Sequence, residues 1–76
     1  MTIDAAWAEA EAALPENWGI WLRPALFSEG YEAKGRINGI WMMVNGPVPE
    51  VDATGLTPAD ALLALAAKLR ERNGQA

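Results

Sequence analysis

Neither cysteine nor histidine occurs anywhere in the 76 residues. Without thiols no disulfide can hold so short a chain together, and without thiolate or imidazole the usual ligands of structural zinc are missing. The same absence removes the Ser-His and Cys-His arrangements and the commonest general base, so no enzyme activity is expected. Basic residues are few, six Lys and Arg against ten Asp and Glu, and the resulting net charge of −4 opposes sequence-independent binding to nucleic acid. No apolar run approaches the roughly 20 residues of a membrane-spanning helix. Met1-Thr2-Ile3-Asp4 brings an acid early and has no basic segment, so a secretory signal is not expected and the assignment is cytoplasmic. Gly30, Gly35 and Gly39 do not form a phosphate-cradling spacing ahead of a helix. Carboxylates remain, and Glu50 with Asp52 is read as a solvated loop pair pointing to opposite sides. No cofactor and no metal site follow from any of this.

What is present is enough apolar material for one small core. Half the residues are hydrophobic and four are tryptophan, Trp7, Trp18, Trp21 and Trp41. This places residues 1–76 among single folded domains rather than disordered chains. A domain of this length buries only about 60 per cent of its unfolded surface, so a homodimer would add useful burial.

Periodicity divides the chain into elements. Thr2 is a good N-cap, and Ile3, Trp7, Ala10 and Leu14 recur at helical spacing, which predicts an amphipathic helix with these residues inward and Pro15 as its stop. From Trp18 to Arg23 the period becomes two, a strand with Trp18, Ile20 and Leu22 on one face, which Pro24 must end or confine to a sheet edge. Ser28-Glu29-Gly30 has turn chemistry. It leads into a second strand in which Tyr31, Ala33, Gly35 and Ile37 oppose Glu32, Lys34 and Arg36. Asn38-Gly39 favours a two-residue type I′ turn, which would pair Ile37 with Ile40, Arg36 with Trp41, Gly35 with Met42 and Lys34 with Met43 in a third strand reaching Val44. Val51 to Thr54 is left open as a fourth strand. Thr57-Pro58-Ala59-Asp60 is a strong helix start, and Leu62, Leu65, Ala66 and Leu69 form the inward stripe of the last helix, closed by Gly74. The fold class is α+β: a helix, a three- or four-stranded antiparallel sheet and a helix, with both helices covering one face of the sheet.

The uncovered face is then the candidate binding surface. In the register set by the Asn38-Gly39 turn it gathers Trp21, Arg23, Lys34, Arg36, Trp41 and Met43, and tryptophan beside arginine is the composition of a protein contact. Rings beside bases on an open sheet also describe a platform for single-stranded nucleic acid, a reading that the net acidity opposes. An alternative contact surface is the acidic first helix, where Asp4, Glu9, Glu11 and Glu16 could mimic phosphates toward a basic groove.

The tail Gly55-Leu56-Thr57-Pro58-Ala59-Asp60-Ala61-Leu62-Leu63-Ala64-Leu65, following short strands, resembles small phage and prophage domains with a Gly-x-Thr-Pro-x-x-Ala-Leu signature, and HicB-like antitoxins share a similar passage from strand to helix. The resemblance covers about a quarter of the chain. It implies the helix, three-stranded sheet and helix of double-stranded-RNA-binding domains. The lysine-rich helix start that grips RNA in those domains is replaced here by Pro58-Ala59-Asp60, and there is no room for the DNA-binding extension of HicB antitoxins. In size, charge and shape, though not in motif, the chain is similar to anti-CRISPR proteins. That similarity implies a stoichiometric inhibitor of a nucleic-acid-binding host complex, such as a CRISPR effector kept from its DNA. The alternatives are an antitoxin-like module that masks a toxin and the single-stranded nucleic-acid binder using Trp21 and Trp41.

Overall fold

The computed structural model describes residues 2–26, 28–37 and 50–74. They form α1 (Ile3–Ala13), β1 (Trp18–Pro24), β2 (Tyr31–Ile37), β3 (Glu50–Gly55) and α2 (Pro58–Gly74). The three strands make one antiparallel sheet in the order β1-β2-β3, so β2 is central.

Local chemistry accounts for the element ends. The Thr2 hydroxyl accepts from the Ala5 N–H at 3.1 Å, the N-cap bond that starts α1. Leu14, forced to extended dihedrals by the proline that follows, ends it, and its N–H donates to the Glu11 carbonyl. Asn17, with φ of 68°, turns the chain into β1, a left-handed position that asparagine tolerates. At the start of α2 the Thr57 hydroxyl accepts from the Asp60 N–H at 3.1 Å. Thr57→Ala should therefore cost about 1 kcal/mol, read as a lower urea midpoint with unchanged slope, and Thr57→Ser should restore it. An unchanged midpoint in the alanine variant would show that packing alone sets this helix start.

The strand faces agree with the alternation in sequence. Trp18, Ile20 and Leu22 of β1 lie opposite Ile37, Gly35 and Ala33 of β2, and Val51 and Ala53 of β3 complete the rows beside Gly35 and Ala33. On this face sit both helices, and the buried residues they share with it are Ala6, Ala10, Ala13, Ala33, Ala53, Ala61, Leu62, Leu65, Ala66 and Leu69. Ionic and polar links tie the helices together: Arg70 pairs with Glu9, and the Asn73 amide donates to the Ala13 carbonyl at 2.8 Å, closing the end of α1. Because the two contacts advance together along both helices, α1 and α2 run in the same direction.

Two expectations are corrected. The buried stripe of α1 is Ala6, Ala10 and Ala13, whereas Trp7 and Leu14 only flank the core and Ile3 is half exposed. Small residues win this face because α1 lies directly against α2, where only alanine lets two backbones approach closely. The second correction concerns the sheet. Asn38-Gly39 and the strand expected over Ile40–Val44 lie outside the described residues, but the edge of β2 assigned to that strand is taken by β3. Arg36 stands opposite Glu50, Gly35 opposite Val51 and Lys34 opposite Asp52, in place of Trp41, Met42 and Met43. Val51 to Thr54, open as a fourth strand in the sequence, is thus part of the third strand among the described residues. Burial selects it, since Ala53 is covered on the core face while α2 follows at once through Leu56 and Thr57.

Candidate functional site

The face of the sheet turned away from the helices carries three cross-strand rows. Gly19, Arg36 and Glu50 form one, Trp21, Lys34 and Asp52 the next, and Arg23, Glu32 and Thr54 the last. Four of the residues singled out in the sequence, Trp21, Arg23, Lys34 and Arg36, are therefore brought together. Trp41 and Met43 lie outside the described residues.

Trp21 is the centre of the group. Its side chain stands on the solvent side of β1, 38% exposed. The Arg23 guanidinium lies 5.1 Å and the Lys34 ammonium 5.2 Å from its ring centroid. These separations fit cation–π attraction, worth about 0.5 to 1 kcal/mol each at such a site. The cations are further held by acids: Arg23 meets Glu32 at 3.5 Å, and Lys34 lies 3.9 Å from Glu32 and 3.7 Å from Glu50. Lys34 has a side chain only 16% exposed, so the indole and the carboxylates around it replace much of its hydration and fix its position.

Sequence reasoning missed the acids from β3. Glu50 and Asp52, two apart on a strand, share one face rather than diverging, and that face is the one opposite Arg36 and Lys34. Three bases, Arg23, Lys34 and Arg36, are matched by three acids, Glu32, Glu50 and Asp52, so the described part of the face is charge-neutral and not basic. The period-two spacing of Glu50 and Asp52 was the available signal.

The alternative surface disperses. Asp4, Glu11 and Glu16 are exposed, but Glu9 is paired with Arg70, and Glu11 accepts from the Trp7 indole N–H at 2.6 Å. Among the described residues no three carboxylates converge as a metal site would require, and no helix is long and apolar enough to cross a membrane.

The fold and this face define the class: an α+β domain whose two helices share one side of a small antiparallel sheet and leave the other open. No protein-family model, no curated protein and no solved structure matches the chain.

Proposed function

We propose that this chain is a non-enzymatic protein that acts by stoichiometric binding, and that it meets a protein partner through the open sheet face around Trp21. The observation that carries this reading is an exposed indole framed by Arg23 and Lys34 on a face where acids and bases balance. A protein surface, mixed in charge, complements such a face, and tryptophan with arginine supplies the kind of anchor that dominates protein contacts. A phosphate backbone asks instead for surplus positive charge, which Glu32, Glu50 and Asp52 remove. Taken with the small acidic chain and its resemblance to phage domains, the partner class is a host complex that handles nucleic acid, and the action is that of an anti-CRISPR protein keeping an effector from DNA.

Co-purification with CRISPR effectors, followed by target-DNA binding in the presence of excess protein, tests the reading. Effectors that bind and cleave DNA as before would defeat the inhibitor assignment. Trp21→Ala is the matched control: it should cost only about 1 to 2 kcal/mol of stability, the sum of two cation–π contacts at an exposed ring, yet weaken partner binding at least tenfold. Full binding by a folded Trp21→Ala protein would move the interface elsewhere. Titrating the tryptophan fluorescence with a single-stranded oligonucleotide at low salt should give no quenching, and salt-sensitive quenching would favour the nucleic-acid alternative.

A further inference from the structure

A second surface lies on the other side of β1. On the core face, β2 and β3 contribute the buried Ala33, Gly35 and Ala53 between partly covered Tyr31, Ile37, Val51 and Gly55, whereas of the β1 residues there, Trp18, Ile20 and Leu22, none is buried. α2 lies over β3 and β2, while α1 meets the sheet only at β1, so the apolar side of β1 is left partly covered. Beside it, between the end of α1 and the start of β1, is a cleft of about 300 Å³ lined by Glu11, Leu14, Pro15, Trp18, Gly19 and Ile20. That is at the small end of ligand sites, which begin at roughly 300 Å³, and suits one long side chain better than a whole cofactor.

The cleft adjoins a strand edge. Among the described residues β1 pairs only with β2, so alternate N–H and C=O groups along its seven residues face away from the sheet. The opposite outer strand, β3, differs: its Asp52 carbonyl accepts from Lys68 at 2.8 Å, and it carries Glu50 and Asp52. Lysine cover and charges are devices that discourage strand addition, and β1 has no counterpart before Arg23 and Pro24 at its far end.

Charge specifies the occupant. Glu11 is the charged residue among those lining the cleft, Glu16 is exposed just beyond it, and the last turn of α1 contains no base to offset the negative end of the helix dipole. Arg72, from α2, lies over the Trp18 ring at 4.8 Å, and the carboxylates of Glu11 and Glu16 outnumber this one cation. We propose that an extended basic segment of a partner protein adds, as a further strand, to the edge of β1 that no described strand occupies. It lays one Lys or Arg stem against Leu14, Trp18 and Ile20, with its charge at Glu11. Backbone bonds to the edge supply affinity, and the cleft supplies side-chain selection. This surface is distinct from the Trp21 face, and each stands or falls without the other.

The probe is a displayed library of random ten-residue peptides, selected on the whole chain. Enriched peptides should carry Lys or Arg within an alternating apolar pattern, and in the amide NMR spectrum they should move Gly19, Ile20 and Leu22. Methylating alternate backbone nitrogens of one enriched peptide should abolish binding in one phase and spare it in the other, because only one set donates to β1. Glu11→Lys, at an exposed position, should weaken binding at least tenfold, whereas Trp21→Ala should leave it unchanged. No enrichment, acidic or neutral selection, indifference to methylation in both phases, or shifts confined to Trp21 and Lys34 would each overturn the proposal. A concentration-dependent dimer of the chain alone, protecting the β1 amides, would overturn it in favour of a second copy as the occupant.

Discussion

Leu65→Ala should remove about 3 kcal/mol of folding free energy and leave the domain marginally folded at room temperature. Leu62, Leu65 and Leu69 are the largest fully buried side chains among the described residues, and the other buried hydrophobic positions are all alanines, Ala6, Ala10, Ala13, Ala33, Ala53, Ala61 and Ala66. The larger side chains packed on this cluster, among them Trp7, Leu14, Trp18 and Val51, can close only part of the space a leucine leaves, so a cavity term adds to the lost transfer free energy, and leucine-to-alanine changes in such settings cost about 2 to 5 kcal/mol. A domain of this size holds on the order of 5 kcal/mol in all. The urea midpoint should fall by roughly 2 to 3 M at a slope near 1 kcal/mol/M, with a loss of thermal midpoint of roughly 15 °C. A loss below 1 kcal/mol would show that the described leucine spine is not the centre of the core.

Gly55→Ala is expected to be nearly as damaging for a different reason. A Cβ at this position would lie 2.5 Å from the Ala61 nitrogen, 2.7 Å from the Asp60 carbonyl carbon and 2.8 Å from the Asp60 Cβ. Two of these are backbone atoms of the first turn of α2, so relief requires moving the helix away from β3, and with it the seating of Leu62 and Leu65. Overpacking of this kind costs about 1 to 3 kcal/mol. Gly30 makes the neighbouring constraint: it has φ of 100° and its missing Cβ would fall 2.4 Å from the Gly55 carbonyl oxygen. Gly35→Ala is the informative contrast, because its closest obstacle is a Leu14 methyl at 3.1 Å, the end of a flexible side chain. Chemical denaturation of the three alanine variants should rank Gly35 as the mildest. Equal losses at Gly35 and Gly55 would mean that α2 can slide on the sheet without penalty.

The same geometry separates what periodicity can convey from what it cannot. Thr2, Leu14-Pro15 and Thr57-Pro58 marked helix ends because capping is a contact between residues three apart, and α1 begins and ends, and α2 begins, where those residues say. Trp18 to Pro24 and Tyr31 to Ile37 alternate, and each residue lies on the face that alternation assigns. The grouping of Trp21, Arg23, Lys34 and Arg36 followed from those faces. The charge of their surface did not, because Glu50 and Asp52 enter it only through the pairing of β2 with β3, residues separated in sequence by the segment 38–49.

By itself, then, the chain's order of residues determined the two helices, β1 and β2, and the side of those strands that turns to the core, all of which depend on steric and hydrogen-bonding preferences within a few residues. Tertiary structure decided which strand lies beside β2, which side of α1 is buried and what neutralises the cations around Trp21. Those outcomes are set by competition between distant segments for the same surface, won where burial is largest. β3, with Ala53 under α2, took the edge of β2 that local spacing had assigned to Ile40–Val44, and the alanines of α1 prevailed over Ile3 because they allow two helices to lie closer together.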